Sequence, residues 1–292
     1  MTTDVFTDHR PLLFSVAYRL TGSVADAEDV VQEAWLRWSR TDADTVRAPK
    51  AYLVKTVTNL ALNELQSARA RRETYVGPWL PEPLLTSPDA AEEVEVAESV
   101  SLAMLVVLET LSPLERAVFV LGDVFGYGHQ EIAGMIDRDP AAVRQLAHRA
   151  REHVQARRPR YPADPATQAD IVARFRDAAA GGDMAAMMKL LAPDVTMWSD
   201  SGGKVTAARR PVVGADRVVR WLFGVLDKPQ AQGVEMEITE INGEAALLAV
   251  AGNDVVGAVS LEVDGGRVVG MRLMLNPEKL DGLRRAPGTE SQ

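Results

Sequence analysis

Five polar side chains on one eleven-residue stretch carry the clearest chemistry. In Ala141-Ala-Val-Arg-Gln-Leu-Ala-His-Arg-Ala-Arg151 the apolar Val143, Leu146, Ala147 and Ala150 recur at three- and four-residue spacing, which leaves Arg144, Gln145, His148, Arg149 and Arg151 facing outward. Arginine and glutamine can each make paired hydrogen bonds to a base edge, and the remaining basic groups suit phosphate oxygens. Upstream, His129-Gln-Glu-Ile-Ala-Gly-Met-Ile136 predicts a short helix and Asp137-Arg-Asp-Pro140 a tight turn. A short helix, a turn and a second helix with a basic face form the layout of a helix-turn-helix, whose second helix enters the major groove. The same residues would equally suit a solvated surface helix.

A second set lies earlier in the chain. Asn59, Asn63 and Gln66 precede the basic run Ser67-Ala-Arg69-Ala-Arg71-Arg72 on one helix that also carries Tyr52. Amides and guanidinium groups near an aromatic ring can hold unstacked single-stranded bases. The simpler reading is a helix C-terminus stabilised by cations. A third set, in Asp26-Ala-Glu-Asp-Val-Val-Gln-Glu-Ala-Trp-Leu-Arg-Trp38, is acidic at its start and ends near Arg37 and Arg40, matching the helix dipole at both ends. Its apolar stripe of Val30, Val31, Ala34, Trp35 and Trp38 predicts a buried face, and its carboxylates either meet a partner or are solvated.

The elements that must position these groups follow from spacing and breakers. A helical block runs from about Arg10 to Tyr75, with a long helix beginning after Pro49. Four prolines between Pro78 and Pro88 rule out a helix interior and mark a linker, which an acidic run (Asp89, Glu92, Glu93, Glu95, Glu98) follows. A second helical block spans about Glu98 to Gln155. Arg157-Arg158-Pro159-Arg160-Tyr161-Pro162-Ala163-Asp164-Pro165 breaks the chain again. Beyond it the pattern changes: helices are expected over Gln168–Ala180, Met184–Leu191 and Asp216–Leu226. A strand is expected over Asp194–Ser199, returning over Lys204–Ala208 after the Gly202-Gly203 turn. Four more strands, at about 234–241, 245–251, 255–263 and 267–275, are separated by Asn242-Gly243, Gly252-Asn253 and Asp264-Gly265-Gly266, residues that tolerate the positive φ of hairpin turns. The last third therefore reads as α+β with a curved antiparallel sheet.

Composition narrows the classes. The 292 residues suggest more than one domain, and 47% hydrophobic with 25% charged residues is globular usage. The absence of cysteine excludes disulfides, thiolate zinc sites, iron–sulfur clusters and cysteine nucleophiles; four histidines leave little for a metal. No apolar run is long enough for a membrane helix and the first residues lack a signal-peptide pattern, which predicts a cytoplasmic protein without a membrane partner. The net charge of −9 argues against strong autonomous binding to nucleic acid, although residues 141–160 hold six arginines against Glu152 alone.

Taken together, Ser15-Val-Ala-Tyr-Arg-Leu-Thr-Gly-Ser23, the Asp26–Arg37 helix, the basic-ended helix, the linker and the helix-turn-helix resemble, in this order, bacterial sigma factors of the extracytoplasmic-function class. Trp79-Leu-Pro-Glu-Pro83, Asp200-Ser-Gly-Gly-Lys-Val205 and Asn276-Pro-Glu-Lys-Leu280 are similar to the motifs of the SigJ-like subgroup, which carries a fused SnoaL-like domain of the NTF2-like fold. Ser201 departs from that subgroup's three-glycine pattern. The resemblance implies two all-α sigma domains, the second a helix-turn-helix, followed by an NTF2-like α+β cone. The corresponding segments are 1–75 (region 2-like), 76–97 (linker), 98–156 (region 4-like), 157–165 (linker) and 166–292 (SnoaL-like, regulatory). It further implies that Asp26, Glu28, Asp29, Gln32 and Glu33 contact the β′ clamp helices of core RNA polymerase, with the β subunit a further partner. Asn59, Asn63, Arg69, Arg71 and Arg72 would serve the −10 element of promoter DNA; Arg144, Gln145, His148, Arg149 and Arg151 would serve the −35 element. Because polymerase holds both modules at fixed spacing, the free protein need not be basic.

For the appended domain the resemblance implies regulation in cis, with no separate anti-sigma factor required. Trp79, Leu80, Pro81, Glu82 and Pro83 would act as a stiff wedge, and Asp200, Gly202, Gly203, Lys204, Asn276, Pro277 and Lys279 as its receptor. Any catalytic base there would have to be a carboxylate such as Asp200, Asp216 or Asp254, and no base, orienting partner and electrophile stabiliser form a set, so no enzyme, cofactor or metal is expected. Trp198, Met236, Met271 and Met274 read as core. The alternatives are a SnoaL-type enzyme or small-ligand sensor fused to a DNA-targeting module, and an ordinary promoter-binding repressor.

Overall fold

The computed structural model describes residues 2–42, 45–86, 101–157 and 163–283, and these fall into two units. The first comprises Met1–Thr74 with Ala91–Arg158; the second joins Tyr75–Ala90 to Pro159–Gln292. The acidic run from Asp89 to Glu98 and the breaker residues 158–162 lie outside the described residues. Among the described residues no helix is long and apolar enough to cross a membrane.

The first unit is all helical. Helices α1 (Thr2–Thr21), α2 (Val24–Trp38) and α3 (Pro49–Glu73) pack on one another. Ser23 starts α2 by accepting the Asp26 N–H at 3.1 Å on its hydroxyl. The expected stripe of α2 is buried at Val30, Val31, Ala34 and Trp38, while Trp35 is half-buried, edge-on to Phe6. After α4 (Leu102–Leu108), α5 (Pro113–Phe119) runs into a π-helical turn over Val120–Val124. Then come α6 (His129–Ile136) and α7 (Pro140–Gln155). Asp137 ends α6 in the left-handed region at φ 51°, and Asp139 caps α7 by accepting the Ala141 N–H at 2.7 Å, with Pro140 in the first turn where no donor is needed. The described residues of 2–74 and 101–157 thus belong to the same unit.

The second unit sets α8 (Pro165–Ala180), α9 (Met184–Leu190) and α10 (Ala215–Leu226) against a six-stranded sheet. Its strands are β1 (Leu191–Asp200), β2 (Val212–Val213), β3 (Val234–Ile241), β4 (Glu244–Ala251), β5 (Asp254–Asp264) and β6 (Arg267–Met274), ordered β2-β1-β6-β5-β4-β3. The sheet is mixed: every pairing is antiparallel except β1 with β6, which the long intervening chain allows to run parallel. A return strand over Lys204–Ala208 does not form. The Ser199 hydroxyl instead donates to the Ala208 carbonyl at 3.0 Å and accepts its N–H at 3.1 Å, replacing the ladder until Val212 and Val213 pair with Met197 and Thr196. Phe175, Met187, Leu190, Met197, Val218, Phe223, Leu247, Leu261, Met271 and Leu273 fill the space between helices and sheet. Met271 and Met274 are buried; Trp198 and Met236 are half-buried.

Candidate functional site

On α7 the structure separates the two faces that the spacing implies. Val143, Leu146, Ala147, Ala150 and Val154 are buried, while Arg144, Gln145, His148, Arg149 and Arg151 are all exposed. Arg144 and Gln145 make no hydrogen bond or ion pair with the described residues. His148 lies 3.6 Å from Glu152 on its own helix. Arg149 pairs through Nε with Glu115 at 3.1 Å, and Arg151 through Nε with Asp123 at 2.7 Å. Burial alone would raise the Glu115 carboxyl, but the hydroxyl and N–H of Ser112, together with Arg149, hold it below the usual carboxylate range. Ser112-Pro-Leu-Glu115 is a capping box, a sequence signature that could have placed Glu115 at the start of α5.

The α3 set divides differently. Asn63 and Gln66 are exposed. Asn59 donates to the Lys55 carbonyl at 2.8 Å and to the Met135 carbonyl of α6 at 3.0 Å. Arg72 donates to the Thr21 carbonyl at 2.8 Å and pairs with Glu109, whose other oxygen takes the buried Arg116. Burial pulls the Arg72 pKa down, and the Glu109 charge opposes this. Asn59 and Arg72 therefore also tie the helices of the first unit together, a role that no local pattern announced. The side chains of Arg69 and Arg71 lie outside the described residues.

On α2, Asp29 and Gln32 are exposed, Asp26 is half-buried, Glu28 pairs with Arg10 at 2.8 Å, and Glu33 pairs with Arg37 at 2.9 Å. Phe6, Arg10, Glu28, Val31, Gln32 and Trp35 line an open groove of about 440 Å³ between α1 and α2.

The densest polar cluster is in the second unit, where residues 75–86 lie against the sheet domain. Asp200, at the end of β1, is wholly buried. Its carboxylate accepts the Tyr75 hydroxyl at 2.5 Å, the Leu80 N–H at 2.8 Å, the Gly202 N–H at 3.1 Å and the Lys279 ammonium at 2.8 Å. Lys279 also donates to the Leu80 carbonyl at 2.6 Å and stands 4.1 Å from the centre of the Trp79 ring and 5.1 Å from that of Tyr75. Asn276 donates to the Tyr75 oxygen at 2.9 Å. Burial first, and then the charge and hydrogen bond of Asp200, raise the Tyr75 pKa.

The glycines here are spatial necessities. Gly202 has φ +57°, and a Cβ on it would sit 2.7 Å from the Asn276 amide; one on Gly203 would sit 3.1 Å from Val76. Lys204 pairs with Glu278, and Ser201 is buried with its hydroxyl accepting the Gly203 N–H at 3.3 Å, so the turn tolerates the serine. Leu80, Pro81, Glu82 and Pro83 are buried. Further on, Leu85 bridges to Ile241, the Thr86 N–H donates to the Glu240 carbonyl at 3.0 Å, and Asn242 binds Leu84 through both its N–H and its side-chain oxygen. The segment thus extends the sheet at the β3 edge. Tyr75 and Thr86 carry no local signal, and Asn242 reads from sequence only as a turn residue, since only the folded chain brings them to their partners.

The other carboxylates considered as bases do not join this cluster. Asp216 pairs with Arg220 on the surface of α10, and Asp254 is exposed at the start of β5.

Residues 5–71 match the family model for Sigma-70 region 2, and residues 101–154 that for Sigma-70, region 4. The chain is 41% identical to the ECF RNA polymerase sigma factor SigJ of Mycobacterium tuberculosis, across 97% of this chain and 94% of that protein. It is 32% identical to the probable ECF RNA polymerase sigma factor SigI of the same organism, across 96% and 95%. The crystal structure of M. tuberculosis SigJ superposes with a TM-score of 0.77 at 38% identity, covering 96% of this chain and 98% of that one.

Proposed function

The chain belongs to the extracytoplasmic-function RNA polymerase sigma factors, and from that premise we propose that its C-terminal domain controls promoter-specific initiation in cis by holding the linker between the two DNA-reading modules. The observation that carries this reading is the Asp200 carboxylate, which takes donors from Tyr75, Leu80 and Lys279 at once. The segment that joins region 2 to region 4 is thereby a structural part of the C-terminal unit.

In this reading core polymerase binds α2 through Asp26, Glu28, Asp29, Gln32 and Glu33, its β′ clamp helices meeting α2 and its β subunit adding contacts elsewhere. The exposed face of α7 reads the −35 element, with Arg144 and Gln145 nearest the N-terminal end that faces base edges in helix-turn-helix proteins. Asn63, with Asn59, Arg69, Arg71 and Arg72, serves the −10 element. Because Asn59 and Arg72 are engaged with Met135 and Glu109, reading promoter DNA with them requires those ties to be released. Control by the fused domain makes a separate anti-sigma factor unnecessary. Asp200 is committed to four donors and so serves docking rather than proton transfer, which favours a regulator over a SnoaL-type enzyme.

The test is in vitro transcription with core RNA polymerase, comparing the full chain, its Trp79→Ala variant and a truncation after Tyr161 on a promoter library. All three should bind core polymerase, and the two altered proteins should differ from the full chain in promoter preference or strength. Identical initiation by all three would eliminate control in cis, and failure of the full chain to initiate would eliminate the promoter reading.

A further inference from the structure

The α7 arginines are not equivalent, and the difference originates outside α7. Arg144 and Gln145 project without partners among the described residues, whereas Arg149 and Arg151 are each held by a carboxylate from the α5 side. The two held arginines flank Ala150, so at about 100° per residue they stand on opposite edges of the buried stripe and reach different carboxylates. Glu115 is in the first turn of α5, and Asp123 is in the π-helical turn that continues it. Eight residues of regular α-helix would leave these two side chains about 80° apart. The wider i→i+5 turn advances less per residue, which narrows that offset and brings Asp123 back toward α7.

In both ion pairs the closest nitrogen is Nε, the side edge of the guanidinium, but only Arg151 donates a hydrogen bond through it, to Asp123 at 2.7 Å. The terminal nitrogens of both groups make no hydrogen bond with the described residues, and both side chains remain about half exposed, at 57% for Arg149 and 47% for Arg151. A guanidinium held by its edge presents its terminal fork already aimed, and that fork suits two oxygens of a phosphate or the O6 and N7 of a guanine.

We infer that Asp123 is a positioning residue for promoter recognition, which holds Arg151 with its terminal fork free for DNA. The inference rests on the reading of α7 as the −35 helix. It makes a prediction opposite in sign to simple electrostatics. An acid next to a DNA-binding arginine should weaken phosphate binding through its charge, so neutralising it should tighten the complex. Loss of pre-organisation predicts the reverse, because the freed arginine must be ordered again on binding.

The measurement is binding of the holoenzyme, formed from the full chain and core polymerase, to duplexes selected by the unaltered holoenzyme from a randomised pool. Asp123→Asn should weaken binding about threefold to tenfold, the ordering cost of one long side chain, and should have no effect when Arg151 is already alanine. Arg151→Lys, which keeps the charge but loses the fork, should weaken binding in the same direction and keeps the test open if Asp123→Asn unfolds. Tighter or unchanged binding by Asp123→Asn overturns the inference. So does an equal loss in the Arg151→Ala background, since the residue would then only support the π turn. If Arg144→Ala changes neither affinity nor the selected sequence, α7 does not read DNA, and the inference falls with the reading beneath it.

Discussion

On α7 the charged side chains stand outside a wholly apolar stripe, whereas in the linker cluster they turn inward onto Asp200, which has no exposed surface. The two regions use polar groups for different ends. An exposed arginine keeps its solvation and some freedom, so its removal acts at one contact. A buried carboxylate with several donors is a shared acceptor, and its removal takes a partner from each of them at once. The first arrangement suits recognition of something that comes and goes, and the second fixes a segment in place.

This contrast can be tested hardest at Asp200. Asp200→Ala takes the counter-charge from the Lys279 ammonium, which keeps the Leu80 carbonyl, and the acceptor from the Tyr75 hydroxyl, and should destabilise the second unit by about 3–5 kcal/mol, the range for breaking a buried pair from one side. Urea unfolding followed by circular dichroism measures it, and a loss under 1 kcal/mol would mean that the cluster behaves like a surface one.

A smaller effect is expected at alkaline pH. The folded pKa of Tyr75 lies above its unfolded value of about 10. The contribution of its hydrogen bond is therefore complete below about pH 10 and is lost as pH rises through the folded value. Its size should be about 1.5–3 kcal/mol, as for a hydrogen bond to a charged group. The part of the tryptophan fluorescence that a Trp79→Phe variant lacks, followed against pH, should show linker release at the alkaline end. Tyr75→Phe should remove that pH dependence while weakening docking at neutral pH; a dependence that survives the substitution would assign the titration to another group.

The smallest effect on stability should come from α7. Arg144→Ala should leave thermal unfolding unchanged, while sequence discrimination at one base pair falls by about 1–3 kcal/mol. A shift of several degrees in unfolding would place Arg144 among structural residues and blur the contrast.

The same contrast explains what the sequence makes legible. The helices, the turn and the two faces of α7 follow from spacing, caps and breakers within a few residues, so Val143, Ala147 and Ala150 separate from Arg144 and Gln145 by inspection. The glycine-rich hairpins after Val234 are equally local. The motifs around Trp79, Asp200 and Lys279 stand out only through the family resemblance, because their partners are far away in the chain. Tyr75 and Glu109 go unmarked for the same reason: one tyrosine after a helix and one glutamate near another look ordinary until folding supplies Asp200 or Arg116. The parallel pairing of β1 with β6 is likewise a long-range choice, which an alternating strand pattern cannot express. The failed return strand has a local cause, the side chain of Ser199, that no strand propensity describes.

The clasp also sets an order of events during synthesis. Lys279 follows Leu80 by 199 residues, so at roughly 5–20 residues per second the ribosome makes the linker about 10–40 s before its receptor. For the later part of that interval, from the completion of α7 at Gln155 until Lys279, both DNA-reading modules are translated while Trp79, Leu80 and the prolines lack their complete receptor. The nascent chain is for a time a sigma factor without its clasp, and the synthesis of the stretch around Asn276 and Lys279 decides when that state ends.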